Sequence, residues 1–112
     1  MSTILVAEDN DLNRALVRRF LEPLGYTVVE VADGEAAVQA ALALPPDLIF
    51  MDLNMPGLSG RDAIDVLRRD SRTANTPIVA LSGELPADES IEYILKPFGR
   101  DDLVAALARH GL

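Results

Sequence analysis

Five polar side chains sit where apolar runs stop. Glu8 and Asp9 follow "TILVA", Asp52 closes "DLIFMD", Ser82 closes "TPIVALS" and Lys96 closes "EYILK". Each is ordinary alone, since an acid after a strand commonly caps a helix or lies in a solvated loop. Brought to one place, they pose an electrostatic problem: three neighbouring carboxylates cannot all stay ionised unaided. A dication removes it, because its charge and that of Lys96 cancel those of Glu8, Asp9 and Asp52. Magnesium suits such a set, as it takes oxygen ligands, few of them from protein, and keeps waters plus a phosphate oxygen. The constellation reads as a phosphate-handling Mg²⁺ site. Asp52 is its candidate nucleophile, because a carboxylate can form an aspartyl phosphate.

The elements between these residues must converge for that chemistry to exist. Short β-branched and apolar runs predict strands at 3–7, 27–31, 47–52, 76–82 and 92–96. Asn10 or Asp11 can cap a helix running to about Leu24, with Leu12, Leu16, Phe20 and Leu24 inward and Gly25 as its stop. Asp33-Gly34 opens a second helix, with Ala36, Ala37, Ala40, Ala41 and Leu44 on its inner face, and Pro45-Pro46 ends it. Ser59 or Gly60 starts a third, running to about Asp70. A last helix spans 99–111, with Asp101 and Asp102 in its first turn and Arg109 and His110 in its last, as the helix dipole favours. His110, the one histidine, is expected to face solvent, Arg68 and Arg69 to be exposed helix charges, Asn13 a polar helix position, and Met51 and Met55 packing residues. Strands alternating with helices predict a doubly wound α/β fold with a parallel sheet covered on both faces. Ligands of such sheets bind beyond the carboxyl ends of the strands, where the five polar residues fall.

Composition narrows the classes. The chain of 112 residues is expected to form one domain, 1–112. Its formal net charge of −8 argues against nucleic acid or anionic lipid as a partner and suits a cation or a partner with a basic face. No apolar run is long enough to insert in a membrane, and "ILVA" meets "EDND" too soon for a signal peptide. The chain has no cysteine, which fits a reducing compartment, so a cytoplasmic location is expected.

"ILVAEDN", "DLIFMDLNMPGLSG", "IVALS" and "YILKPF" occur in this order over nearly the whole chain and resemble the receiver domains of two-component response regulators. "EDNxxN", which includes Asn13, resembles receivers attached to hybrid histidine kinases. The resemblance implies a flavodoxin-like, five-stranded parallel sheet of order 2-1-3-4-5. It implies that Asp52 accepts a phosphoryl group from a phosphohistidine of a histidine kinase or phosphotransfer protein. Asp9, Asp52 and the backbone carbonyl of Asn54 would bind Mg²⁺ directly, and Glu8 through a water. Lys96 would pair with Asp52 and then with a phosphoryl oxygen, Ser82 would turn its hydroxyl to that group, and Tyr93 matches the switch aromatic. Lys96–Pro97 would be cis. A signalling receiver, not an enzyme with a separate substrate, is expected to assist its own phosphorylation and dephosphorylation. It would be stand-alone or cut from a hybrid kinase. Two alternatives are a Mg²⁺-dependent phosphatase of the haloacid dehalogenase type, which "IFMDLN" resembles weakly, and a pseudo-receiver that binds partners without phosphate.

One segment departs from the family pattern. Receivers carry a fourth helix between Ser82 and the fifth strand, but here only "GELPADESI", 83–91, lies between. In extended form it reaches about 30 Å, enough to return along a short strand but not to add a full helix. The fourth helix is expected to be absent or about one turn, with Pro86 at its start. The apolar sheet surface so exposed is expected to dock a kinase domain, a second receiver or another target.

Overall fold

The apolar runs form β1 (Thr3–Ala7), β2 (Thr27–Val31), β3 (Leu48–Asp52), β4 (Ile78–Ser82) and β5 (Tyr93–Leu95). They pair side by side, all parallel, in the order β2-β1-β3-β4-β5. The computed structural model describes residues 2–86 and 90–112. β3 and β4 are buried at every residue, whereas the edge strands β2 and β5 are partly exposed. A central strand with helices on both faces buries both sets of alternating side chains, which explains the unbroken apolar runs.

The alternation divides the core in two. Ile4, Val6, Leu48, Phe50, Val79, Leu81 and Ile94 meet Val17 and Leu21 of α1 (Asp11–Leu21) and Leu103, Ala106 and Leu107 of α4 (Arg100–Arg109). On the opposite face, Leu5, Ala7, Ile49, Met51 and Ile78 meet Ala37 and Ala41 of α2 (Gly34–Ala43) and Ala63 and Leu67 of α3 (Gly60–Arg69). Each large side chain so buried contributes roughly 1.5–3 kcal/mol. Among the described residues no helix is long and apolar enough to cross a membrane.

Local sequence sets the helix starts. Asn10, Asp33 and Ser59 each accept a hydrogen bond from the backbone N–H three residues on, at 2.9, 2.7 and 3.2 Å. The end of α1 differs from expectation. It stops at Leu21, and Glu22–Leu24 form a 3₁₀ turn, because Pro23 has no N–H to continue the helix. Leu12 and Leu24 are 69% and 43% exposed. A four-residue step overshoots a helical turn by about 40°, so the ends of a four-spaced row rotate off the core, and Val17 and Leu21 take the inward side. Leu44 is exposed too, because it caps α2 with extended backbone. Met51 and Met55 are buried in the core.

Among the described residues no helix joins β4 to β5. The single turn expected from Pro86 would run through residues 87–89, which lie outside the described residues. Tyr93 and Leu95 pair with Ala80 and Ser82, so they share the face covered by α2 and α3. They remain 41% and 44% exposed, while Ile94 between them is buried.

His110 differs from expectation, while Arg68 is exposed as expected and also reaches beyond its own helix. His110 Nε2 lies 2.7 Å from Glu92 Oε1, because the start of β5 runs beside the end of α4. Arg109 donates to Glu92 Oε2 at 2.7 and 3.0 Å. Arg68 Nη1 donates to the carbonyls of Thr73, Ala74 and Thr76 at 3.3, 3.1 and 2.7 Å, holding the turn that leads into β4.

Two glycines set how closely the loops approach the strand ends. A Cβ on Gly60 would lie 1.9 Å from the Asp52 carbonyl oxygen, and one on Gly34 would lie 2.1 Å from that of Leu58. Both neighbours are backbone and cannot step aside. Gly60→Ala is therefore expected to destabilise the fold by roughly 3 kcal/mol, the upper end of overpacking costs. Gly83→Ala, with open space around it, should be near neutral in the same urea titrations.

Candidate functional site

Strand register delivers the polar residues to one end of the sheet. Ala7 pairs with Met51, so Glu8 emerges level with Asp52. Asp52 pairs with Leu81, and Ser82 with Leu95, which brings Ser82 and Lys96 to the same rim. The Glu8 N–H donates to the Val31 carbonyl at 3.1 Å and the Lys96 N–H to the Ser82 carbonyl at 2.7 Å, so the ladder continues one residue past the strands. One carboxylate oxygen from each of Glu8, Asp9 and Asp52 lies within 4.8 Å of the others.

Burial makes the cluster demanding. Glu8 is 0% and Asp52 2% exposed, whereas Asp9 faces solvent. Lys96 Nζ lies 2.8 Å from Glu8 Oε1 and 3.2 Å from Asp52 Oδ2, a single ammonium bridging two buried acids. Burial, together with the adjacent Glu8 carboxylate, raises the pKa of Asp52 above 3.8. The Asn54 N–H at 3.0 Å from Oδ1 and the charge of Lys96 oppose that rise without cancelling it. Burial works against the charge on Lys96, but Glu8 and Asp52 outweigh it and raise its pKa above 10.5.

Glu8 is anchored from α1. Asn13 Nδ2 donates to Glu8 Oε1 at 2.8 Å, and Arg14 Nη1 donates to the Glu8 carbonyl at 2.7 Å. Sequence reading left Asn13 as a plain polar position and did not single out Arg14. Their spacing of five and six residues from Glu8 was the available signal, since the first turn of α1 folds back over the end of β1. Glu8 Oε2 is buried and has no hydrogen-bond partner among the described residues. A buried acceptor left open beside two more carboxylates, all oxygen donors, fits a hydrated hard cation.

Ser82 shares the rim with the acids but its hydroxyl is engaged elsewhere, and Tyr93 is away from the rim. Ser82 is 2% exposed, and its Oγ donates to the Glu84 carbonyl and accepts from the Glu84 N–H, so the hydroxyl serves the turn after β4. Tyr93 lies at the opposite end of β5 from Lys96, on the exposed edge. The Lys96–Pro97 bond is cis.

The sequence profile described as the response regulator receiver domain matches residues 4–108. The receiver domain of a sensor histidine kinase from Pseudomonas aeruginosa PAO1, solved with a magnesium ion coordinated in its active site cleft, superposes with a TM-score of 0.90 at 35% identity, covering 99% of this chain and 98% of that one. The chemotaxis response regulator CheY4 of Vibrio cholerae gives 0.90 at 29% identity over 98% of each chain. The transcription factor SKN7 of Candida albicans is 35% identical over 96% of this chain, and the autoinducer 1 sensor kinase/phosphatase LuxN of Vibrio campbellii is 43% identical over 73%. The chain spans only 20% and 9% of the lengths of those two relatives.

The raised pKa of Asp52 fixes a sign. The folded state holds that proton more tightly than the unfolded chain, so without added metal stability falls as pH rises from about 3.8 through the higher folded value. Asp52→Asn removes this loss. At neutral pH in EDTA the variant is expected to melt several degrees above the parent, on the order of 1 kcal/mol. A lower melting temperature would mean that the carboxylate is a net stabiliser.

Proposed function

This chain belongs to the response regulator receiver domain family, and we propose that it is a Mg²⁺-dependent phosphoacceptor, residues 1–112, in two-component signalling. The observation that carries this reading is the Lys96 ammonium bridging buried Glu8 and Asp52, with Asp9 beside them, at the carboxyl end of the sheet. Asp9, Asp52 and the Asn54 carbonyl would hold Mg²⁺ directly, and Glu8 through a water seated at its open Oε2. When bound, the metal supplies positive charge to the oxygens of the reacting phosphoryl group.

The remaining work belongs to the protein. A carboxylate oxygen of Asp52 forms a bond to phosphorus while the bond to the phosphohistidine nitrogen breaks, and that electron pair returns to the imidazole. The Asn54 N–H orients the Asp52 carboxylate for in-line attack. Lys96, held protonated by its two acids, turns from Asp52 to a phosphoryl oxygen. The Ser82 hydroxyl leaves Glu84 for the new oxygens and carries the end of β4 with it. Tyr93, on the neighbouring strand, would report that movement at the edge. Partners in this reading are a histidine kinase or phosphotransfer protein, with docking at the face left bare beside β5, in the cytoplasm.

With acetyl phosphate and Mg²⁺, the protein should gain one acid-resistant, base-labile phosphoryl group on the peptide containing Asp52, and Asp52→Asn should gain none. Equal labelling of the variant would move the acceptor elsewhere, and sustained phosphate release from many substrates would favour a phosphatase. Lys96→Ala should still bind Mg²⁺ by calorimetry yet lose the beryllofluoride-induced amide shifts of β4 and β5. Unchanged shifts would remove the role given to Lys96.

A further inference from the structure

Two donors from distant parts of the chain meet on one oxygen of Glu8. Lys96 Nζ, just past β5, lies 2.8 Å from Oε1, and Asn13 Nδ2 in α1 donates to the same atom at 2.8 Å. Glu8 is fully buried, and its other oxygen has no hydrogen-bond partner among the described residues. The two donors are held differently. The Asn13 side chain is short, and its own N–H is fixed by the Asn10 cap at 2.9 Å. Arg14, the next residue of α1, takes the Glu8 carbonyl at 2.7 Å, so this helix grips Glu8 by main chain and side chain together. Lys96 sits at the end of a flexible four-carbon stem and is shared with Asp52 at 3.2 Å.

That difference matters once Lys96 turns to a phosphoryl oxygen. The turn loosens its hold on Glu8, and a buried carboxylate oxygen short of a donor is costly. A second cation at position 13 would prevent the shortage but would also repel a metal ion. A neutral amide supplies the hydrogen bond without the charge. We propose that Asn13 is a positioning residue of the phosphoacceptor site, keeping Glu8 hydrogen-bonded and in place while Lys96 is drawn to the phosphoryl group. This deepens the phosphoacceptor reading and rests on it. Asn13 acts through Glu8, and its amide frees Lys96 to serve the incoming charge.

Two dissociation constants separate this role from a structural one: that of Mg²⁺ alone, by calorimetry, and that of beryllofluoride in saturating Mg²⁺, by amide shifts of ¹⁵N-labelled protein. Asn13→Leu keeps a similar volume and removes the donor. Lys96 still holds Glu8 when metal alone is bound, so Mg²⁺ affinity is expected to fall less than about three-fold, while beryllofluoride affinity falls roughly ten-fold. Asn13→Asp places an acid in the first turn of a helix, where the dipole favours it, and covers the case in which the leucine variant fails to fold. It puts an acceptor where the donor was and should show the same split. In the parent, the Asn13 side-chain amide should stay protected from solvent exchange with and without beryllofluoride. Equal weakening of both constants, two unchanged constants, or loss of that protection on beryllofluoride binding would overturn the proposal. A parent that binds no beryllofluoride would overturn the phosphoacceptor reading and this proposal with it. A parent that binds it, with variants that match, would overturn this proposal alone.

Discussion

Burying two carboxylates, one after β1 and one at the end of β3, is the constraint that organises this molecule. Desolvating an ion costs several kcal/mol even after relaxation, and unpaired acids at such depth would protonate or disrupt the fold. Lys96 answers most of that demand by reaching both Glu8 and Asp52. It can do so only because β5 lies beside β4 in a register that brings the Lys96 N–H to the Ser82 carbonyl. The pairing of the farthest edge strand is therefore coupled to the charge balance at the centre.

The surroundings of the acids are fixed more tightly than their exposed neighbours. Gly60 lets α3 begin against the Asp52 carbonyl, and Gly34 lets α2 begin against Leu58, so the loop after β3 is clamped between two helix starts. Asn13 and Arg14 pin Glu8 by side chain and backbone. Among the described residues the one buried side-chain acceptor left open is Glu8 Oε2, in the acid cluster.

The shortened crossover trades packing for tethering. Among the described residues no helix covers Tyr93 and Leu95, and Glu92 is tied by Arg109 and His110 to the end of α4. Arg68 performs a similar task at the other margin, holding the turn before β4 by its carbonyls. These polar ties keep the edge strand in register without covering its outer face. The two faces of the sheet consequently differ: one is closed by α1 and α4 up to β5, and the other is open beyond α3.

Strand and helix order, the helix caps and the acids at the strand ends were all legible in the sequence, because each depends on local chemistry: alternating burial, a capping side chain, a run that stops on a charge. That no full helix joins β4 to β5 among the described residues was legible from chain length, since nine residues are too few for a usual parallel crossover. The inward side of α1 was misread at its ends, as a four-spaced row drifts around a helix and only the sheet beneath decides which residues face it. Asn13, Arg14, Arg68 and His110 gained their partners from distances between elements, which no local pattern contains. The sequence by itself determined which charges would stand at the rim. Tertiary structure decided how they share one ammonium, which oxygen stays open and which face is left bare, because those depend on strand register and on what packs above the sheet.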